Sequence, residues 1–227
     1  MRLVFEKFET PLELRTDALN VLRIQDQSLY ARCALSLSQG FPPDCLEPAS
    51  FFTKEDKEVK PSNVLFFVGD ILQIDLNDRR IVAQAIKVLV GRFAAEGDLI
   101  HHLLHMNEQM EDMLEGQFLQ MAGDYCLAVD WEVSKYLKML GFRIDDTEDV
   151  TVYQKLVHFI KLVADLYPDW VIAFVNLPSY LTAQQYNEFC NLVIALQLRV
   201  LSYEQSDIRR RSNLENVLYI DSDYLEG

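Results

Sequence analysis

The chain has 227 residues, half of them hydrophobic, enough for one sizeable core or one core with a helical extension, and too apolar for a disordered protein. Its 35 acidic against 21 basic residues leave a formal net charge of -14, which excludes a uniformly basic nucleic-acid-binding surface but not a local basic patch. The same excess fits either plain solubility or a cation-dependent protein.

The opening, MRLVFEKFET, carries no long apolar stretch after its charge, and no run approaches the roughly 20 apolar residues of a membrane helix. Cys33, Cys45, Cys126 and Cys190 form no CxxC pair, so no zinc knuckle or redox dithiol is indicated. Apolar neighbours around Cys33, Cys126 and Cys190 predict buried, reduced thiols, and the expected compartment is cytoplasmic.

In chain order, Leu3, Phe5, Leu12 and Leu14 alternate with polar residues and predict small strands around a turn. Residues 28–37 put Leu29, Cys33, Ala34 and Leu37 on one helical face before Gly40, Pro42, Pro43 and Pro48 break the chain. FFTKEDKEVKPSN reads as an edge hairpin or exposed loop, and VLFFV at 64–68 as a strand. From residue 78 the period becomes helical, with Asp78 a candidate cap and Ile81, Ala85, Val88 and Leu89 on one side. Segment 99–121 spaces Leu103, Met106, Met110, Met113, Leu114 and Met121 as a long helix that packs on another helix would.

A third helix follows Gly123, carrying Val133, Tyr136, Leu137 and Leu140, with Gly141 closing it. A fourth, at 150–166, is striped by Val152, Leu156, Phe159, Ile160, Val163 and Leu166. WVIAFVN then reads as a strand covered on both faces, and Thr182 with Gln185 as a capping box. RVLSYE and NVLYID are the last strands, and strand–helix–strand order predicts a parallel crossover. The predicted fold class is α/β. A sheet-containing head is built from 1–74 and 151–227, and a helical leg, 75–150, is inserted into it. The stretch 96–149 is the most acidic, with 13 Asp/Glu against three Lys/Arg.

No glycine cluster stands before a helix, so the phosphate loop of a nucleotide-binding protein is missing; GxSxG and HExxH are missing too. His101 and His105 are spaced i,i+4, and a polar helix face explains them as well as metal does. Glu111 and Glu115 share a helical face beside Asp112, a like-charge arrangement costing roughly 0.2–0.5 kcal/mol unless compensated. Asp124 and Asp130 follow across Gly123. These acids fit either a solvated face or a site for a hard cation, which takes six to eight oxygen ligands. Basic residues gather at Lys54/Lys57/Lys60, Arg79/Arg80, Lys135/Lys138/Arg143 and Arg209–Arg211. In a closed oligomer such patches can sum along one cavity.

The C-terminal third carries a resemblance. WVIAFVNLPSYLTAQQYNEFCNLVIALQLRVLSYEQS and LENVLYIDSDYLEG, with LVFEKFETPLELRTDALNVLRIQD, DILQIDLNDRRIV and YLKMLGFRIDD, resemble the small accessory spacer-acquisition protein of type II-A CRISPR systems. The resemblance implies a head with a nucleotide-kinase-like outline that lacks a phosphate loop, and a helical leg. It implies a homotetrameric ring that binds ends of double-stranded DNA without being an enzyme, held by structural calcium, acting with the CRISPR integrase proteins and the effector nuclease. It places an acid before the YLKMLG helix, at Asp130, among the calcium ligands. Glu115 and Asp130 are then the expected core ligands, with Glu111 and Asp124 next. The expected DNA contacts are Lys135 and Lys138, then Lys54, Lys57, Arg79 and Arg80. The sequence departs from the family in a longer, more basic SYEQSDIRRRSNLEN loop. The rival readings are a degenerate nucleotide-kinase-like enzyme and a protein-interaction scaffold without nucleic acid.

Overall fold

Strands β1 (Arg2–Phe5) and β2 (Leu12–Glu13) open the chain, followed by β3 (Leu19–Ile24) and helix α1 (Gln27–Ser38). The hairpin β4 (Ala49–Phe52) and β5 (Glu58–Val59) comes next, then β6 (Leu65–Val68). Three helices follow, α2 (Arg79–Ala95), α3 (Gly97–Phe118) and α4 (Val133–Met139). The rest is α5 (Val152–Leu166), β7 (Val171–Val175), α6 (Ala183–Ala195), β8 (Arg199–Gln205) and β9 (Glu215–Ile220). This computed structural model describes residues 1–127, 131–147, 151–207, 211–223 and 225–226. The chain divides into two compact units, one formed by Met1–Ile74 with Thr147–Gly227, the other by Asp75–Asp146.

The first unit is built on a parallel sheet of order β6-β7-β8-β3-β9. Its central strands are buried on both sides, which is why VIAFV reads as a continuous apolar run. One face meets α1 and the small antiparallel sheet β2-β1-β4-β5, through Leu22, Ile24, Leu201, Leu218, Leu3, Phe5, Phe51 and Leu29. The opposite face lies under α5 and α6. There Phe174 sits edge-on to Phe159 at 6.1 Å and to Phe189 at 6.1 Å. Capping boxes open both covering helices: Thr151 with Gln154, and Thr182 with Gln185. Only the second pair is among those the sequence pattern predicts.

This face also holds a buried ionic cluster that the apolar patterning does not predict. Arg23, in the middle of the sheet, is fully buried and donates to Glu204 Oε2 at 3.0 and 2.8 Å and to Glu215 Oε1 at 3.2 Å. Tyr186 donates to Glu215 at 2.6 Å and Ser202 to Glu204 at 2.7 Å, so both buried carboxylates are satisfied.

In the second unit, α2 packs against α3 and α4. Glu96 ends α2 and begins α3, a single-residue break at φ -102°, ψ 76°. Gly141 adopts φ +72° just past α4, with its N–H on Lys138 and the Phe142 N–H on Leu137, the hydrogen-bond pattern that glycine permits at a helix end. Asn77 ties the unit's two ends together, donating to the Ile144 carbonyl and accepting its N–H at 3.1 and 2.8 Å. Cys33 and Cys190 are buried as expected, but Cys126 is exposed. Its apolar neighbours Tyr125 and Leu127 are themselves exposed, so adjacency in sequence placed no core around it. Among the described residues, no helix is long and apolar enough to cross a membrane.

Candidate nucleic-acid and cation sites

Helix α3 is amphipathic, yet none of its residues is buried. Met106, Met110, Met113 and Leu114 line its apolar side, and Met113 keeps 74% of its surface in solvent. Beside this side, Trp131 and the α4 residues Tyr136 and Met139 close an apolar groove of about 350 Å³. Glu111 and Lys135 both border it. Glu111 accepts from Asn107 Nδ2 at 2.8 Å, one turn back. Lys135 pairs with Glu132 at 2.8 Å, and the hydrogen bond from Lys135, then that from Ser134, holds the Glu132 carboxyl below the usual carboxylate range. Sequence reasoning does not single out Trp131, Glu132 or Tyr136 as site residues; the i,i+3 spacing of Glu132 and Lys135 is the available signal.

At the far end of α3 the chain folds back at Gly123. Glu115 and Asp124 line one cleft there, about 430 Å³, beside Phe118 and Tyr125, whose rings lie 6.0 Å apart. Two of the four expected calcium ligands therefore meet at one place. Glu111 borders the other groove, and Asp130 lies outside the described residues. Among the described residues no three His, Cys, Asp or Glu side chains come together as a metal cluster. Two carboxylates suit a hard cation, which would draw its remaining oxygens from main chain and water.

The expected DNA contacts are distributed over both units. Lys135 and Lys138 project from α4, Lys135 with half of its side chain in solvent. Arg79 and Arg80 occupy the first turn of α2, behind the Asp78 cap, which accepts from the Arg80 N–H at 2.8 Å. Cations at a helix N-terminus run against the macrodipole, so helix stabilisation does not account for their place there. Lys54 and Lys57 sit on the exposed β4–β5 turn, closed by the Thr53 N–H on the Lys57 carbonyl at 2.9 Å.

In the sheet unit, the N-terminus of α1 directly follows β3, where a nucleotide-binding sheet would hold phosphate. Asp26 fills that position with its own carboxylate, accepting from the Leu29 N–H at 2.6 Å. A negative side chain on those amide groups repels a phosphate rather than cradling it.

The CRISPR-associated protein (Cas_Csn2) family matches residues 44–224. The chain is 25% identical to "CRISPR-associated protein Csn2" of Enterococcus faecalis over 221 residues, 93% of each chain. It is 25% identical to the protein of the same name from Streptococcus agalactiae over 231 residues, 99% of this chain and 96% of the relative. The crystal structure of Stu0660 of Streptococcus thermophilus shares the fold, with TM-score 0.59 and 14% identity, over 96% of this chain and 74% of that one. With a match to some four-fifths of its residues and relatives of nearly its own length, the chain belongs to the CRISPR-associated Csn2 family.

Proposed function

We propose that the chain binds ends of double-stranded DNA, without reading sequence and without catalysing a reaction, through the hole of a calcium-stabilised homotetrameric ring. In this role it supports spacer acquisition beside the CRISPR integrase proteins and the effector nuclease. The observation that carries the proposal is the uncovered apolar side of α3. Four large side chains held in water over about two and a half turns mark an interaction surface, since burying each contributes roughly 1.5–3 kcal/mol. A second copy supplies such a cover, and closing a ring gathers the same basic residues from several subunits. That is how a chain of net charge -14 can present a locally positive channel to phosphate. Glu115 and Asp124 support a cation at the end of α3, fixing the turn beyond it, with main-chain and water oxygens completing its shell.

The test is sedimentation and binding of a blunt duplex over a salt series, with and without calcium. The expected mass is near four times 26.3 kDa. Duplex affinity should require calcium and fall steeply with salt. The Lys135→Gln/Lys138→Gln variant should lower the slope of log affinity on log salt by about 0.9 for each phosphate that is no longer neutralised. A monodisperse monomer in calcium, or a wild-type protein that ignores duplex at low salt, refutes the proposal.

A further inference from the structure

We infer that the sheet unit carries a second contact for a phosphodiester backbone, in the cleft between α6 and the turn leading into β9. The inference rests on the duplex-binding reading above and adds a contact away from the α4 lysines. The cleft, about 510 Å³, is lined by Asn187 and Asn191, one turn apart on α6, and by Arg211, Ser212, Asn213 and Leu214. Its lining is amide, hydroxyl and guanidinium, the groups that hold phosphate oxygens without reading bases.

The cleft is built on rigid supports. The Arg211 main-chain N–H donates to Glu215 Oε2 at 2.9 Å, and its guanidinium reaches Ser206 Oγ at 3.4 Å and lies 3.5 Å from Glu204 Oε2. Both glutamates are buried residues of the central sheet. On the other side Ser212 donates to Asn187 Oδ1 at 2.8 Å, pinning the turn to α6. Asn187 and Asn191 each give one amide hydrogen to the carbonyl a turn earlier, at 3.0 Å, and an amide nitrogen carries two. A site hung from strands and a helix holds its donors in place better than a free loop does.

Charge points the same way. Residues 208–214 hold three arginines and no acid, in a chain with 14 more acids than bases. A segment this basic in sequence favours a polyanion over a neutral or cationic partner.

The test introduces charge at the cleft without changing shape. Asn191→Asp/Asn213→Asp places two carboxylates at the rim. Each, roughly 7 Å from a bound phosphate in water, repels it by about RT, so duplex affinity should fall roughly sevenfold for the pair. The salt slope should fall with it. Asn191→Lys/Asn213→Lys should act in the opposite direction. Ser62→Asp/Asn63→Asp, exposed residues of the same unit, should leave affinity unchanged and so controls for net charge. Duplex binding that is unaltered in both cleft pairs, or altered equally by the Ser62/Asn63 pair, overturns the inference while leaving the duplex reading standing. A wild-type protein that binds no duplex overturns both. Inorganic phosphate alone saturating the Asn191 and Asn213 amide signals, with no response to duplex, assigns the cleft to free phosphate and also overturns it.

Discussion

Replacing Arg23 by methionine should remove the only fully buried positive charge among the described residues of the sheet and leave Glu204 and Glu215 in place around an apolar side chain. The hydrogen bonds at 3.0, 2.8 and 3.2 Å disappear, and the carboxylates keep the Tyr186 hydroxyl and the Arg211 N–H on Glu215, the Ser202 hydroxyl on Glu204, and the Arg211 guanidinium at 3.5 Å from Glu204. Breaking a buried ion pair from one side costs about 3–5 kcal/mol, a large part of a domain's stability. With a urea slope of about 2 kcal/mol per molar, the unfolding midpoint should fall by roughly 2 M. The pH dependence carries a definite sign. Burial alone would raise the Glu215 carboxyl, but hydrogen bonds from the Tyr186 hydroxyl and the Arg211 N–H, with the Arg23 charge, outweigh it and hold the group below its ordinary 4.5. In the wild type that contribution is therefore present above pH 4.5 and is lost as pH falls through the lowered value. In Arg23→Met the Glu215 carboxyl loses the share of that offset that Arg23 supplies and rises toward its ordinary value, so the variant loses less stability than the wild type as pH falls through 4.5 and below. The gap between the two proteins should narrow over that range. A loss under about 1 kcal/mol, or a gap constant with pH, refutes the account of this cluster.

Burial pushes the Cys33 and Cys190 thiols from 9.0 up to about 12, so the unfolded chain ionises first: the stability they contribute is fully present below pH 9 and drains away between pH 9 and about 12. Unfolding midpoints across that range, wild type against Cys33→Ala/Cys190→Ala, check this through the shallower alkaline slope expected of the variant. A thiol reagent at neutral pH should label exposed Cys126 at once and the two buried thiols only on the unfolding timescale, which mass mapping reads directly. Thr151→Ala and Thr182→Ala each delete a reciprocal cap and should cost about 1 kcal/mol apiece in urea titrations; additive losses are expected, since the two caps share no partner.

The elements that local chemistry specifies were legible in the sequence. Asp78 caps α2, Thr182 and Gln185 close on each other at α6, and the stripe from Leu156 to Leu166 is the buried side of α5. Strand β3 was not legible. Asn20 and Arg23 interrupt its apolar run, and their partners lie far along the chain: Asn20 donates to the Val200 carbonyl, and Arg23 to Glu204, 181 residues away. No window of sequence contains that pairing. The candidate cation site divides for a similar reason. Glu115 and Asp124 converge because the chain reverses at Gly123, whereas Glu111, one helical turn before Glu115, is engaged by Asn107 and borders a different groove. Helical spacing reports which residues share a face and is silent on which hollow each residue borders.

The place of β3 between β8 and β9 also governs how the chain can be made. Its six residues leave the ribosome early, whereas the strands that flank it are completed only after about 180 more residues. At roughly 5–20 residues per second that is a wait of roughly 10–40 s with both edges of an apolar strand unpaired. Closing a loop of that length costs about 4–5 kcal/mol of chain entropy before any ladder bond compensates. The helical unit, contiguous from Asp75 to Asp146, is synthesised whole within that interval. Translation therefore delivers the whole helical segment attached to a half-made sheet, and the arrival of β8 and β9 decides whether the nascent chain folds or aggregates.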